Sequence, residues 1–220
     1  MKKPLVTIIV AAYNQEKFIG RCIRSLLAQN FPRDDFEIIV VDDGSNDKTE
    51  FALGLFSGDI TIIKNKKNKG LPASLNLALK KTRSDFFIRV DSDDFVSRNF
   101  LLHIHAFISY NDYMDAVACD YNLVDDTEKV IERKDCSKDP IACGVMFRKN
   151  QIITIGGYDE NFLIHEERDL RYRFLKHHSV YRLEMPLYRY RRHENNITNN
   201  KEAMDFHMNA LKSKHGTKNF

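Results

Sequence analysis

Phe86 to Asp94 read FFIRVDSDD, a hydrophobic run that ends abruptly in three carboxylates. The stretch from Phe86 to Val90 has the length of a strand, and Asp91-Ser92-Asp93-Asp94 marks its end. The same pattern recurs upstream. Leu5 to Val10 (LVTIIV) is a continuous β-branched run suited to a strand covered on both faces, and Ala11-Ala12-Tyr13-Asn14 follows it. Phe36 to Val41 is a second strand, ending in Asp42-Asp43-Gly44-Ser45, and Ile60 to Ile63 a third. Helical segments alternate with these strands. Glu16 to Gln29 places Phe18, Cys22 and Leu26 at four-residue steps, with Ile19, Ile23 and Leu27 beside them. Asn46 or Ser45 can cap a helix through about Leu55, and Leu71 to Lys80 aligns Leu71, Leu75 and Leu79. Such alternation implies βαβ units, an α/β fold, a mostly parallel sheet and right-handed crossovers. Ligands of such sheets bind beyond the carboxyl ends of the strands. The polar clusters at 11–14, 42–43 and 91–94 all fall there.

Beyond Asn99 the spacing predicts a helix over Phe100 to Ser109 and a strand near Ala116 to Tyr121. An irregular charged stretch, a buried segment at Gly144 to Phe147 and a helix from about Glu167 to Lys176 follow. Glu202 to Lys212 reads as a terminal helix. With no repeat and no low-complexity linker, the reading is one domain over 1–220 with a short helical tail at about 200–220.

Composition excludes several classes. Of 220 residues, 43% are hydrophobic and 30% charged, the balance of a soluble globular chain. Lys plus Arg number 34 against 31 acids, so a net charge of +3 argues against nucleic acid as the main partner. Arg171, Arg173, Lys176, Arg182, Arg189, Arg191 and Arg192 fall close together and read mostly as a solvated face, with a few placed to meet phosphates. Cys22, Cys119, Cys136 and Cys143 show no metal-ligand spacing; reduced thiols fit a cytoplasmic protein, and Cys22 sits on an apolar helical stripe. Met1-Lys2-Lys3-Pro4 runs straight into a strand without signal-peptide features, and no apolar stretch spans a bilayer. A membrane partner would be met from the membrane surface, at the inner face for a cytoplasmic protein. Lys212, Lys214 and Lys218 near Phe220 read as a solvated tail, with contact to an anionic membrane or a partner chain as the alternative; a homo-oligomer is open as a separate partner.

Three carboxylates packed into Asp91–Asp94 repel one another. A hard divalent ion, Mn2+ or Mg2+, relieves the repulsion and leaves positions open for phosphate oxygens. A solvated turn that caps a following helix would use the same residue types.

Taken together, the motifs resemble the inverting family 2 glycosyltransferases of the GT-A fold. The resemblance rests on AAYN (Ala11 to Asn14), VVDDGSND (Val40 to Asp47), NKGLPASLN (Asn68 to Asn76) and VDSDD (Val90 to Asp94). It continues through GGYDENF (Gly156 to Phe162), HEERDL (His165 to Leu170) and YRRHENNIT (Tyr190 to Thr198). It implies a nucleotide-sugar donor, UDP-linked, and a saccharide or lipid-linked acceptor. The first strand's loop, with Ala11 and Tyr13, and the DDGS turn would hold the nucleobase, Asp43 accepting from a uracil N3–H. An Asp-Gly turn whose carboxylate caps the next helix fits Asp42 equally. Lys69 and Gly70 correspond to a loop that closes over the base, although Gly70 could be an ordinary turn glycine. Asp93 or Asp94 would ligate the metal, with Asp91 and Ser92 near the ribose or a metal-bound water. His193 would approach the metal or diphosphate, and Arg191 and Arg192 would steady the diphosphate.

Inverting transfer needs one carboxylate within reach of the acceptor hydroxyl. The resemblance places it in Glu166-Glu167, where Glu stands in the position Asp more often fills; the second acid, Glu167, is the base expected, with Asp169 holding local structure. The helix macrodipole alone would also favour acids in that first turn. Two rivals differ in kind. A sugar nucleotidyltransferase usually has a Gly-rich basic loop after the first strand, where Ala11 to Asn14 contain no glycine. A nucleotide-sugar or glycan-binding module would bind UDP without turnover.

Overall fold

The computed structural model describes residues 2–193 and 201–216. Its sheet begins as the hydrophobic runs dictate. β1 (Val6–Ala12) lies between β2 (Phe36–Asp42) and β4 (Phe86–Arg89), and β3 (Thr61–Lys64) joins the outer side of β2; all of these pair in parallel. Val6, Ile8, Ile9, Val10, Ile38, Val40 and Ile88 are buried, as expected for strands covered on both faces. Helix α1 (Ile19–Leu27) buries Ile19, Cys22, Ile23 and Leu26, α2 (Thr49–Gly54) buries Leu53, and α3 (Leu71–Lys81) packs on β1 and β2.

The second half changes direction. β5 (Phe95–Val96), α4 (Phe100–Ser109), β6 (Ala116–Val124) and β7 (Val130–Lys134) precede β8 (Val145–Arg148), α5 (Lys149–Thr154), α6 (Glu166–Phe174) and β9 (Val180–Arg191). The spatial order is β3-β2-β1-β4-β8-β6-β9-β5, with β7 on the edge of β6. β8 runs antiparallel to β4 and β6, β5 antiparallel to β9, and β6 parallel to β9. The sheet is therefore mixed, where a mostly parallel one was expected; the run of parallel neighbours from β3 ends at β4, and beyond it β6 and β9 pair in parallel among antiparallel neighbours.

Two local expectations need correction. Helix α2 begins at Thr49, not beside Ser45 or Asn46, because those residues bond elsewhere: Asn14 N–H donates to Ser45 Oγ (3.0 Å) and Asn46 N–H to Asn14 Oδ1 (3.0 Å). Asp47 Oδ1 takes the Thr49 N–H instead (2.9 Å). The basic run is also not chiefly a solvated face. Arg182 grips the fully buried Asp120 (2.8 Å), Arg173 grips Asp169 (2.7 Å), and Arg191 is itself buried. All four cysteines are free and buried, Cys22 on its helix stripe included.

A last helix, α7 (Lys201–His215), returns to α6: Lys214 Nζ and His215 Nε2 reach Asp169 Oδ1 at 2.6 and 2.8 Å. Lys214 also bonds Asp159, so it is not a free membrane-facing cation; Lys218 and Phe220 lie outside the described residues. Among the described residues, no helix is long and apolar enough to cross a membrane.

Gly44 fixes the approach of two loops. It has φ +74°, and a Cβ there would meet the Lys67 carbonyl carbon at 2.7 Å and Asn68 N at 2.9 Å. Backbone cannot move aside as a flexible side chain can. Gly44→Ala is expected to cost about 1–3 kcal/mol. Thermal unfolding reads this as a fall in Tm of about 2–4 °C per kcal/mol for a chain this size.

Candidate active site

Two loop clusters stand at the carboxyl ends of β1, β2 and β4. In the first, the turn after β2 is stitched to the loop after β1: Asp43 N–H donates to Ala12 O (2.8 Å) and Gln15 N–H to Thr49 Oγ1 (2.7 Å). Asp43, buried, accepts Asn65 Nδ2 (2.7 Å) and Lys69 N–H (3.0 Å) on Oδ1, and Gly70 N–H (2.9 Å) on Oδ2. The structure thus brings Asp43, Lys69 and Gly70 together, with Asp43 as the anchor of the 65–70 loop. Gly70 has φ +92°, and a Cβ there would strike Leu163 Cδ2 at 2.7 Å. Tyr13 is 43% exposed beside this loop pair, the Lys69 side chain is exposed, and Ala11 is partly exposed at the end of β1. Asp42 takes the Ser45 N–H on Oδ1 (3.0 Å), so its carboxylate closes the turn instead of capping α2. Its Oδ2 is buried with no hydrogen-bond partner among the described residues.

The second cluster is the acidic turn, and its three carboxylates have three different surroundings. Asp94 is buried: Oδ1 accepts Arg191 N–H (2.7 Å) and Oδ2 accepts the Tyr188 hydroxyl (2.7 Å), which itself accepts Asp91 N–H (3.1 Å). Asp93 keeps its carboxylate partly exposed and meets His193 Nε2 at 2.9 Å. Phe18 stacks on the His193 ring at 4.9 Å. Asp91 receives Arg89 Nε at 2.6 Å. Burial, then the Asp91 charge, raises the Asp93 pKa against the pull of His193. Burial with the Asp93 and Asp91 charges pushes Asp94 well above the carboxylate range.

This crowding is what a hard divalent cation relieves, and the carboxylate oxygens of the turn suit Mn2+ or Mg2+. Among the described residues, Asp91, Asp94 and Cys143 form the trio whose ligand atoms all lie within 4.8 Å of one another. That trio is a poorer set, because burial and the same two carboxylates push the Cys143 thiol well up, and a soft sulfur suits neither ion. Ser92 is buried in the turn. Arg191 is a strut: its Nε donates to Asp93 O (2.9 Å), and its other nitrogens reach Asp125 O, Asp126 O and Glu128. The Arg192 side chain is exposed, while its N–H donates to Val124 O (2.8 Å).

Arg89 ties this corner to the acid pair. From β4, where a hydrophobic residue would continue the run, its Nη1 donates to Glu166 Oε1 at 2.8 Å. Burial opposes the guanidinium charge, yet Asp91 and Glu166 hold it well above its ordinary range. Glu166 is buried, and burial raises its pKa to about 7 although Arg89 pulls it down. Glu167 is different: its side chain is 32% exposed, with His165 Nδ1 3.9 Å away. Burial alone would raise its pKa, but the neighbouring His165 ring and its own backbone amide prevail and lower it. His165 itself adopts φ +65° and places its Nε2 3.2 Å from Met204 O. Asp169 is fully buried among Arg173, Lys214 and His215 and holds local structure, as expected.

The sequence reading did not single out Arg89, Tyr188, Glu128 or Phe18. Arg89 alone had a visible signal, a charge inside FFIRV.

A parallel βαβ half carrying the turn after β2, joined to a mixed half that backs an acidic corner, defines a nucleotide-diphospho-sugar transferase scaffold of the GT-A class. Residues 7–173 match the family model described as glycosyl transferase family 2, and the chain belongs to that family. An uncharacterized glycosyltransferase of Rickettsia typhi is 30% identical over 214 residues, covering 89% of this chain and 66% of its own length. The poly(ribitol-phosphate) beta-N-acetylglucosaminyltransferase TarS of Staphylococcus aureus is 36% identical over 105 residues, 46% of this chain and 18% of that protein. The crystal structure of TarS residues 1–349 with UDP-GlcNAc superposes with a TM-score of 0.81 at 21% identity, covering 95% of this chain and 66% of that one. A mannosyltransferase of Pyrobaculum calidifontis, solved with GDP-Man and Mn2+, gives 0.77 at 17% identity, covering 100% of this chain and 66% of that one. At these identities the superpositions show a shared fold. The chain spans two thirds or less of the length of each of these proteins.

Arg89→Met is expected to leave Glu166 buried without its cation and to destabilise the protein by about 3 kcal/mol in urea unfolding. Adding Glu166→Gln to that variant should recover part of the loss, because no buried charge then lacks a partner.

Proposed function

We propose that this chain is an inverting glycosyltransferase that moves a sugar from a nucleotide diphosphate sugar to an acceptor hydroxyl. The donor proposed is UDP-linked, and the acceptor a glycan, a lipid-linked saccharide or a protein-linked saccharide. One observation carries the reading: Arg89 bridges Asp91 and Glu166, so the acidic corner and the Glu166–Glu167 pair belong to one rigid site. A UDP-GlcNAc complex of one structural neighbour supports a uridine donor; a GDP-Man complex of another makes the base a point to test.

In this reading the loop after β1 and the 65–70 loop, held by Asp43, form the nucleobase side. The anchored Asp43 is the proposed acceptor for the base's N–H, beside Tyr13, Lys69 and Gly70. Asp93 and His193 would hold Mn2+ or Mg2+, with Asp91 and Asp94 shaping the corner, and the ion would offset the charge of the nucleoside diphosphate. Glu167 takes the proton of the acceptor hydroxyl as that oxygen attacks the anomeric carbon and the bond to the diphosphate breaks on the opposite side. Its lowered pKa keeps it ionised and ready to accept. Glu166, locked onto Arg89, positions the helix that carries it. Residues 1–220 are proposed as one catalytic domain with a short helical tail at about 200–220, working in the cytoplasm and reaching a lipid-linked acceptor at the inner membrane face.

The rival binding module has the corner but needs no base. Release of UDP from candidate donors in the presence of acceptors, with and without Mn2+, separates the two. Glu167→Gln is expected to retain UDP affinity while transfer falls about 100- to 10,000-fold. In the wild type the acid limb of kcat/KM should lie below the ordinary glutamate value of 4.5, since the base is lost only as pH falls through its depressed pKa. Near-normal turnover by the variant would move the base elsewhere.

Asp93→Ala should remove the metal dependence of UDP binding without lowering Tm appreciably, because Asp93 is partly exposed and Asp94 keeps the buried ladder. Calorimetry showing the same Mn2+-dependent affinity in the variant would dismiss the metal assignment.

A further inference from the structure

Behind the acidic corner, α1, β5 and β9 border an open cavity of about 550 Å³. Arg21, Arg24, Arg98 and Arg189 line it, with Phe95 and Ser97, and no carboxylate is among the lining residues. Arg21 is accounted for: its Nε reaches Glu128 at 2.9 Å and its guanidinium lies 4.0 Å over the Phe95 ring. Arg24, Arg98 and Arg189 have no carboxylate partner among the described residues. The Arg189 guanidinium bonds only carbonyls, Pro186 O at 2.6 Å and Tyr188 O at 3.3 Å, and burial draws its pKa down from the usual guanidinium range.

Arg24 and Arg98 are exposed, and with the half-buried Arg189 they line one space. Three planar guanidinium groups around one space match a tetrahedral oxyanion, since Arg presents paired donors to phosphate. The volume leaves room for the groups esterified to that phosphate.

The cavity is separate from the corner proposed for the donor. Phe95 stands between them, with Arg21 stacked on its ring and Arg191, the strut of the corner, 5.4 Å from the same ring. Glu128 accepts from both of those arginines and so neutralises the wall, leaving Arg24, Arg98 and Arg189 to the cavity.

We propose that this cavity is a second anion site that binds a phosphate ester group of the acceptor through Arg24, Arg98 and Arg189. That the phosphate belongs to an acceptor rests on the glycosyl-transfer reading; the binding of phosphate does not. The test is calorimetry on the whole chain with the corner saturated by UDP and Mn2+. The titrants are inorganic phosphate, a synthetic glycerol-phosphate trimer and, by sedimentation, phosphatidylglycerol vesicles. The trimer should bind wild type, and the exposed-residue variant Arg24→Ala/Arg98→Ala should weaken it about tenfold or more with UDP affinity unchanged. An exposed Lys80→Ala control should leave the trimer affinity unchanged. The proposal is overturned if the double variant holds the trimer as tightly as wild type, or if wild type binds neither phosphate nor trimer. It is equally overturned if Arg24 and Arg98 govern vesicle adhesion but not the trimer, which would make the cavity a lipid-surface contact. Failure of wild type to bind UDP would count against the donor reading alone and leave the phosphate result standing.

Discussion

A single buried guanidinium ties the acidic turn after β4 to the glutamate pair that opens α6. Arg89 sits on a strand flanked by β1 and β8, so its backbone cannot shift without breaking the sheet, and its side chain reaches Asp91 and Glu166 at once. Burial makes this tie costly to break, since a charge left without its partner cannot be rescued by water. It also explains why two adjacent glutamates behave differently. Successive residues on a helix point about 100° apart, so when Glu166 turns inward to Arg89, Glu167 must face another way. The division of labour between the pair follows from helix geometry.

β9 is the second support. Tyr188 and Arg191, with His193 just beyond the strand, reach back to the turn after β4. Between them they assign different work to chemically identical aspartates. Asp94 is consumed by the Tyr188 hydroxyl and the Arg191 amide, while Asp93 is left partly exposed beside an imidazole. Pro186 lies where the β6–β9 register shifts, and proline is tolerated at such irregularities because it cannot donate to a ladder. The shift helps deliver the last residues of β9 to the acidic turn.

Much of the first half was legible because its signals are local. LVTIIV and FEIIVV can be little but buried strands, and the bounds of α4, Phe100–Ser109, follow from its apolar spacing. β9 was missed for the opposite reason. VYRLEMPLYRYR carries arginines and a proline, and it becomes a strand only through β6 and β5, which are distant in sequence. The two-residue β5 is too short to announce itself. At the site, the motifs brought Asp93 and His193 into view through their resemblance to a family, and the structure places them together. That Asp94 faces inward was not readable, because nothing in DSDD distinguishes one carboxylate from the next until Tyr188 is in place. The arginines of β9 likewise read as surface until their carboxylate and carbonyl partners appeared.

The Tyr188 phenol, shared between Asp91 N–H and Asp94, has a consequence for how the molecule assembles. The turn that it shapes is separated from it by almost half the chain, and closing so long a loop carries an entropic cost before any contact repays it. The acidic corner therefore cannot mature while the ribosome has delivered only the parallel strands. That corner takes shape only after β9 has threaded between β6 and β5, which makes it a reporter of complete folding more than of local order.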